Sequence, residues 1–304
     1  MTLPHFFDPI LNAKDMLMLK FLNTDRIVEN CEAVARYATT SGSLRCRYAQ
    51  AQRRLLDIPL IVEPHVPVAT FGRPEWIRFL GRRKVIAPES LEQVGSFSSN
   101  LRFEIQEQLE AMRYLISSHT PEALEMLDLL VSEIVVLNME KPTAGSHSAA
   151  LAMIWINPKR EWTPSYYAET VVHEMLHQVL FLEDMVNGLM QDMDLLERED
   201  TRAYSAVRKT SRYFDSAFHA AFVAAGMTSY YRSVMHAGFA GQAEKIFELV
   251  EHGQLAVKDL QSVALRQRGN GRPILTPRGE ELLDAMDEFF HTVNVDAPGL
   301  PIAA

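Results

Sequence analysis

The chain has 304 residues, of which 47% are hydrophobic, and a formal net charge of -9 at pH 7 with a pI near 5.6. That length supports one large core or two smaller ones, while the negative balance disfavours a nucleic acid backbone or an anionic membrane surface as the main partner, since both would repel it. Two cysteines, Cys31 and Cys46, are too few for a disulfide framework and suit a reducing compartment.

Met1 to Leu11 lacks the basic, apolar and small-residue succession of a secretory signal, and no apolar run has the length of a membrane span. The expected location is the cytoplasm. From Pro9 to about Ile58, apolar residues recur at three- and four-residue spacing, with a helix start at Thr24-Asp25 and a break at Ser41-Gly42-Ser43, which predicts a helical N-terminal region over residues 1–70. Three prolines and Gly72 between Pro64 and Pro74 predict an extended connector and mark the best internal boundary. A domain of residues 71–304 would follow, unless the two parts are continuous.

Helices are predicted over Leu101–Ser117 and Pro121–Val131, the second with Thr120 as N-cap and Pro121 at the first helical position. Ile134–Met139 and Ala149–Ile156 are short Val-, Ile- and Leu-rich runs on either side of the turn-forming Lys141–Ser146, hence a hairpin or two neighbouring strands. Thr163-Pro164 starts a further helix that runs to about Val186 and stops at Asn187-Gly188. Helices follow at about Thr201–Met227, Gln242–Glu251, Leu255–Leu265 and from Thr276-Pro277 to Phe290. The fold class is therefore α+β and helix-dominated, with a zincin-like metal helix beside a small sheet and helical N- and C-terminal parts.

The helix after Thr163 carries His173-Glu-Met-Leu-His177. Four residues is just over one helical turn, so both imidazoles leave the same face and can reach one ion, with Glu174 on the adjacent side. In zinc peptidases with this spacing the glutamate is the general base for the attacking water. The bland alternative is an accidental pattern on an apolar face formed by Val172, Leu176, Val179 and Leu180. Two histidines do not complete a site, so the third ligand defines its kind. A metzincin site would need Gly at position 180 and His at 183, where the chain has Leu180 and Glu183. Glu197 would suit a gluzincin, although it stands in an acidic cluster with Glu199 and Asp200 of the sort that often caps a solvated helix. His219, in the apolar stretch Phe218–Phe222, is the other candidate, set against a core histidine bonded to a carbonyl or to Asp215.

Four features in order carry a family resemblance: Ser146-His-Ser148 before a strand, the helix with His173-Glu-Met-Leu-His177-Gln and Leu180-Phe181, the basic stretch from Tyr204 through Arg208 to Arg212, and Phe218-His219-Ala-Ala-Phe-Val223. The segment Ser146–Gly226 resembles the HExxH-type peptide β-hydroxylases, iron enzymes dependent on 2-oxoglutarate that modify ribosomally made precursor peptides. Tyr213 stands where that pattern has proline. The resemblance implies that His173, His177 and His219 hold Fe(II), that Arg208 or Arg212 pairs with the distal carboxylate of 2-oxoglutarate, and that Glu174 orients a ligand. A precursor peptide would be the substrate, added as a strand at the sheet edge along Leu151–Ile156. The competing expectation is a zinc peptidase using His173, His177 and Glu197 as ligands and Glu174 as base, and a third is a non-catalytic helical protein.

Overall fold

A computed structural model describes residues 24–62, 66–87, 89, 94–140, 144–236 and 242–295. The expected helical stretch before Thr24 and the start of the Lys141 turn lie outside these residues.

The described residues open with α1 (Thr24–Ala35) and α2 (Leu44–Leu55), the latter begun by Ser43, whose hydroxyl accepts from the Cys46 amide. Proline at the first helical position starts α3 (Pro74–Arg82) and α5 (Pro121–Leu130), and the Ser98 hydroxyl caps α4 (Ser99–His119) by accepting from Leu101 N. Neither α3 nor the strand before it was evident in the sequence. The apolar side of α3, with Trp76, Phe79 and Leu80 buried, is only nine residues long and is hidden by flanking arginines.

Strands β1 (Val68–Phe71), β2 (Glu133–Val136), β3 (Ala144–Gly145) and β4 (Met153–Ile156) form one mixed sheet in the order β1-β2-β4-β3. The first three in that order run parallel, and β3 is antiparallel to β4. Thus β2 and β4 are neighbours rather than the two arms of a hairpin. Both are buried along their whole length, as parallel strands covered on both faces should be. Residues 68–71 of the predicted connector are the outermost strand of this sheet, with β1 in register against β2 from Val68↔Glu133 to Phe71↔Val136.

The second half comprises α6 (Pro164–Asn187), the short α7 (Met193–Leu196), a hairpin of β5 (Ala203–Ser205) and β6 (Thr210–Arg212), α8 (Phe214–His236), α9 (Ala243–Gly269) and α10 (Pro277–Val295). The helix expected over Thr201–Met227 is therefore replaced, up to Tyr213, by a turn and the hairpin. Burial of Thr201, Ala203 and Ser205 in alternation is the period of a strand, and the apolar pattern of α8 does not extend back through it. The two helices expected within residues 242–265 are one. Gly253, which lies in the interval between them, is not a breaker: a Cβ there would overlap the Phe290 ring, so glycine lets α9 and α10 approach closely. Buried apolar residues form one cluster from Ile27 to Val293, and among the described residues no helix is long and apolar enough to cross a membrane.

Candidate metal centre

Helix α6 is positioned by its ends and by two polar side chains. Thr163 Oγ1 accepts from Tyr166 N at 3.3 Å, and Gly188 at φ 66° lets the chain turn away while Asp184 Oδ1 accepts from Leu189 N at 2.7 Å. In the middle, buried Gln178 donates from Nε2 to Met153 O at 3.1 Å, and its Oε1 accepts from Ala152 N at 2.9 Å. These bonds fasten the helix to the start of β4. One turn earlier Glu174 Oε2 accepts from Ser146 Oγ at 2.8 Å, beside β3. Glu174 and Gln178 thus face the sheet, and the histidines occupy the next stripe around the helix.

His173 and His177 lie with ring centroids 5.2 Å apart. Helix α8 brings His219 to 5.8 Å from His177 and 4.9 Å from Phe181, whose ring lies 6.0 Å from His177. Gly226 makes this approach possible, because a Cβ there would overlap the Leu176 side chain. The two helices run past each other in opposite directions, with His177 beside His219, Leu176 beside Gly226, and Glu169 Oε2 accepting from the Tyr231 hydroxyl at 3.1 Å. The structure therefore brings His219, from a separate segment, to the His173-Glu174-His177 motif.

Burial sets the protonation of the cluster. It lowers His173 to about 4, helped by the Arg208 charge, and His177 to about 3, helped by His173 and His219. It lowers His219 to about 4 against the opposing charges of Asp215 and Asp184. All three imidazoles are neutral at physiological pH and keep a lone pair for a ligand. Burial pushes Glu174 up to about 7, opposed by the Ser146 hydrogen bond, so its carboxyl can hold or release a proton near neutrality.

Among the described residues, no group of three or more His, Cys, Asp or Glu side chains already has metal-holding geometry. With metal–nitrogen bonds of about 2.1 Å, two imidazoles on one ion place their centroids roughly 4.5–5.2 Å apart. The His173–His177 separation meets that spacing and the His177–His219 separation exceeds it, a gap within reach of side-chain rotation. Nδ1 of His177 is buried and, among the described residues, has no hydrogen-bond partner. Such an atom is costly to leave unmatched, and an ion would match it. The donor set, all neutral imidazole, suits either iron or zinc.

The remaining predicted residues separate. Glu197 is exposed at the C-terminal cap of α7 and is not among the buried groups around His173 and His177. Arg208 and Arg212, expected one helical turn apart, are instead in the turn between β5 and β6 and on β6 itself. Both are exposed, and Arg208 is the one whose charge reaches His173. Strand β4, expected to accept a peptide, is flanked by β2 and β3, so the sheet edge beside α6 is β3. Gly145 of that edge lies under the Trp155 indole, where a Cβ would overlap the ring.

The sequence places Gln178 in the motif but assigns it no role, although an amide directly after His177 on an apolar helix was the signal for one. It also assigns none to Gly226, for which one sequence offers no signal. In comparisons with protein-family models and with curated proteins, no family model and no curated protein matches the chain. The assignment of function therefore rests on the site's own chemistry.

Proposed function

We propose that the chain is an Fe(II)- and 2-oxoglutarate-dependent hydroxylase acting on a peptide, with a ribosomally made precursor peptide as substrate. The observation that carries this reading is the meeting of three neutral imidazoles from two helices, one of which feels the charge of Arg208. His173, His177 and His219 would hold the iron. When bound, the iron would bring dioxygen, the oxidant, together with the 2-oxo acid, whose oxidative decarboxylation to succinate gives two of the four electrons while hydroxylation of an unactivated carbon gives the other two.

The chain's own residues bind, orient and exclude. Arg208 would receive the distal carboxylate, because a guanidinium fork fixes both charge and orientation. Phe181, packed against His177 and His219, would keep water from that flank. Glu174, held by Ser146, would orient the His173–His177 turn of α6. An extended peptide would lie along the β3 edge, which is antiparallel to β4. A mixed sheet with such an edge beside the metal helix supports a zincin-like relationship.

A zinc peptidase is the second reading, and Glu174 favours it, since a carboxyl near 7 next to His173 suits a general base for water. Its third ligand is the difficulty, with Glu197 exposed and His219 the half-buried candidate. Anaerobic titration of the apoprotein with Fe(II) and then 2-oxoglutarate separates the readings. A saturable visible charge-transfer band, abolished in His219→Ala, is expected for the hydroxylase. Tight zinc binding with no band under any loading would replace it by the peptidase.

A further inference from the structure

The segment from Asp200 to Lys209 is tied to α9 at four places. Arg266 Nη2 donates to Asp200 O at 3.0 Å, Asp259 Oδ2 accepts from Tyr204 N at 2.7 Å, the Tyr204 hydroxyl bonds His252 Nδ1 at 2.8 Å, and Lys209 pairs with Glu248. Positions 248, 252, 259 and 266 are spaced by four, seven and seven residues, which places them on one stripe of the helix. The segment runs antiparallel to that stripe, so one face of α9 acts as a rail for it. The last tie falls next to Arg208.

The turn at the end of the rail is strained. Lys209 has φ 54°, a left-handed conformation that a non-glycine residue adopts only when its surroundings enforce it. Two contacts do so, namely Lys209 N donating to Ser205 O at 2.8 Å and the ion pair to Glu248. Arg208, one residue earlier, is held on its own account by its N donating to Ser205 Oγ at 3.4 Å, and the contacts of Lys209 complete the fixing of the turn that carries it.

We infer that α9 sets the position of Arg208, and that Tyr204 and Lys209, gripped by His252 and Glu248, are positioning residues for the guanidinium that receives the distal carboxylate of the 2-oxo acid. This rests on the hydroxylase reading. It assigns the specificity for a dicarboxylic 2-oxo acid to a helix that carries none of the three histidines. The exposed Lys209–Glu248 pair is the weaker grip, since such pairs are screened by salt. The Tyr204–His252 bond, partly buried, is the firmer one.

The test uses the full chain loaded anaerobically with Fe(II) and titrated with 2-oxoglutarate, reading the visible band in the wild type, Arg208→Ala, Tyr204→Phe, Glu248→Gln and the charge swap Lys209→Glu with Glu248→Lys. Arg208→Ala is expected to lose 2-oxoglutarate binding. Tyr204→Phe and Glu248→Gln should each weaken it roughly three- to tenfold, the loss of one hydrogen bond or pair, while Fe(II) affinity and the thermal midpoint stay at wild-type values. The charge swap should restore affinity, as no general loss of packing would. A wild-type band with unchanged affinity in Arg208→Ala, or in both Tyr204→Phe and Glu248→Gln, overturns this inference alone. Absence of any band in the wild type overturns the hydroxylase reading and takes the inference with it.

Discussion

Among the described residues three glutamates are buried, and their surroundings differ in kind. Glu133, on β2, accepts from Ile61 N at 2.9 Å, from Thr70 Oγ1 at 2.6 Å and from Arg73 Nη1 at 2.8 and 3.0 Å. Glu183, at the far end of α6, accepts from Asn30 Nδ2 at 2.5 Å, Asn187 Nδ2 at 3.0 Å and Arg278 Nε at 2.6 Å. Glu174 has one hydroxyl. A buried carboxylate surrounded by donors and a guanidinium is a structural clamp, holding β1, β2 and α3 together in one case and α1, α6 and α10 in the other. One left near neutral pH with a single donor, beside three neutral imidazoles, is of the kind that clusters at functional sites. The contrast is sharpest at Glu183, the position where a metzincin would carry its third histidine. Here the position is committed to the fold.

Breaking the clamps should have the largest effect. Glu133→Gln is expected to destabilise the protein by about 2–4 kcal/mol, because the buried carboxylate that gathers Ile61 N, Thr70 Oγ1 and Arg73 is lost, while Arg73 keeps Glu75 and Pro59 O, and Glu183→Ala should approach that loss. Urea denaturation followed by far-UV circular dichroism measures both. Losses below about 1 kcal/mol would mean that the two clusters are not the structural anchors their partners suggest.

The two close-approach glycines sharpen the comparison at intermediate size. Gly226→Ala and Gly253→Ala each place a methyl group against a packed neighbour, Leu176 and Phe290 respectively, and each is expected to cost about 1–3 kcal/mol by overpacking. They should part in metal binding, measured by Co(II) absorption in the visible region. Gly226→Ala pushes α8, and with it His219, away from His177 and should weaken binding severalfold. Gly253→Ala acts between α9 and α10 and should not. Equal metal affinities in the two variants would separate His219 from the metal centre.

Much of this was legible in the sequence where local chemistry decides structure. The proline starts and Thr163 cap of α6, the stop at Gly188 and the four-residue histidine spacing are local signals, and the structure places that helix over Pro164–Asn187. The helix-dominated α+β class was legible for the same reason. What the sequence hid depends on partners distant along the chain. The hairpin at residues 203–212 was read as helix because Tyr204, Ser205, Arg208 and Arg212 have no strand-like pattern of their own. Its geometry comes from Asp259, His252 and Glu248 on α9. The sequence divides α9 into two helices on either side of Gly253, because the partner that explains the glycine, Phe290, is thirty-seven residues away. The pairing of β2 with β4 in parallel, and not as a hairpin, likewise follows from the route of the intervening chain through β3.

The smallest expected effect on stability is the most telling for the site. Glu174→Gln makes the same chemical change as Glu133→Gln, yet here no guanidinium pair is broken, and the amide oxygen can still accept from Ser146 Oγ. The stability change should therefore be below about 1 kcal/mol, in either direction, since the carboxyl it replaces is already held near its neutral form by burial. If instead Glu174→Gln destabilises as much as Glu133→Gln, Glu174 is a structural clamp like the other two and the site loses its distinguishing feature. If stability holds, the Co(II) spectrum of the variant separates the two functions considered. A carboxylate that only orients α6 should shift the spectrum and weaken binding modestly, whereas a general base should leave metal binding intact and abolish peptide hydrolysis.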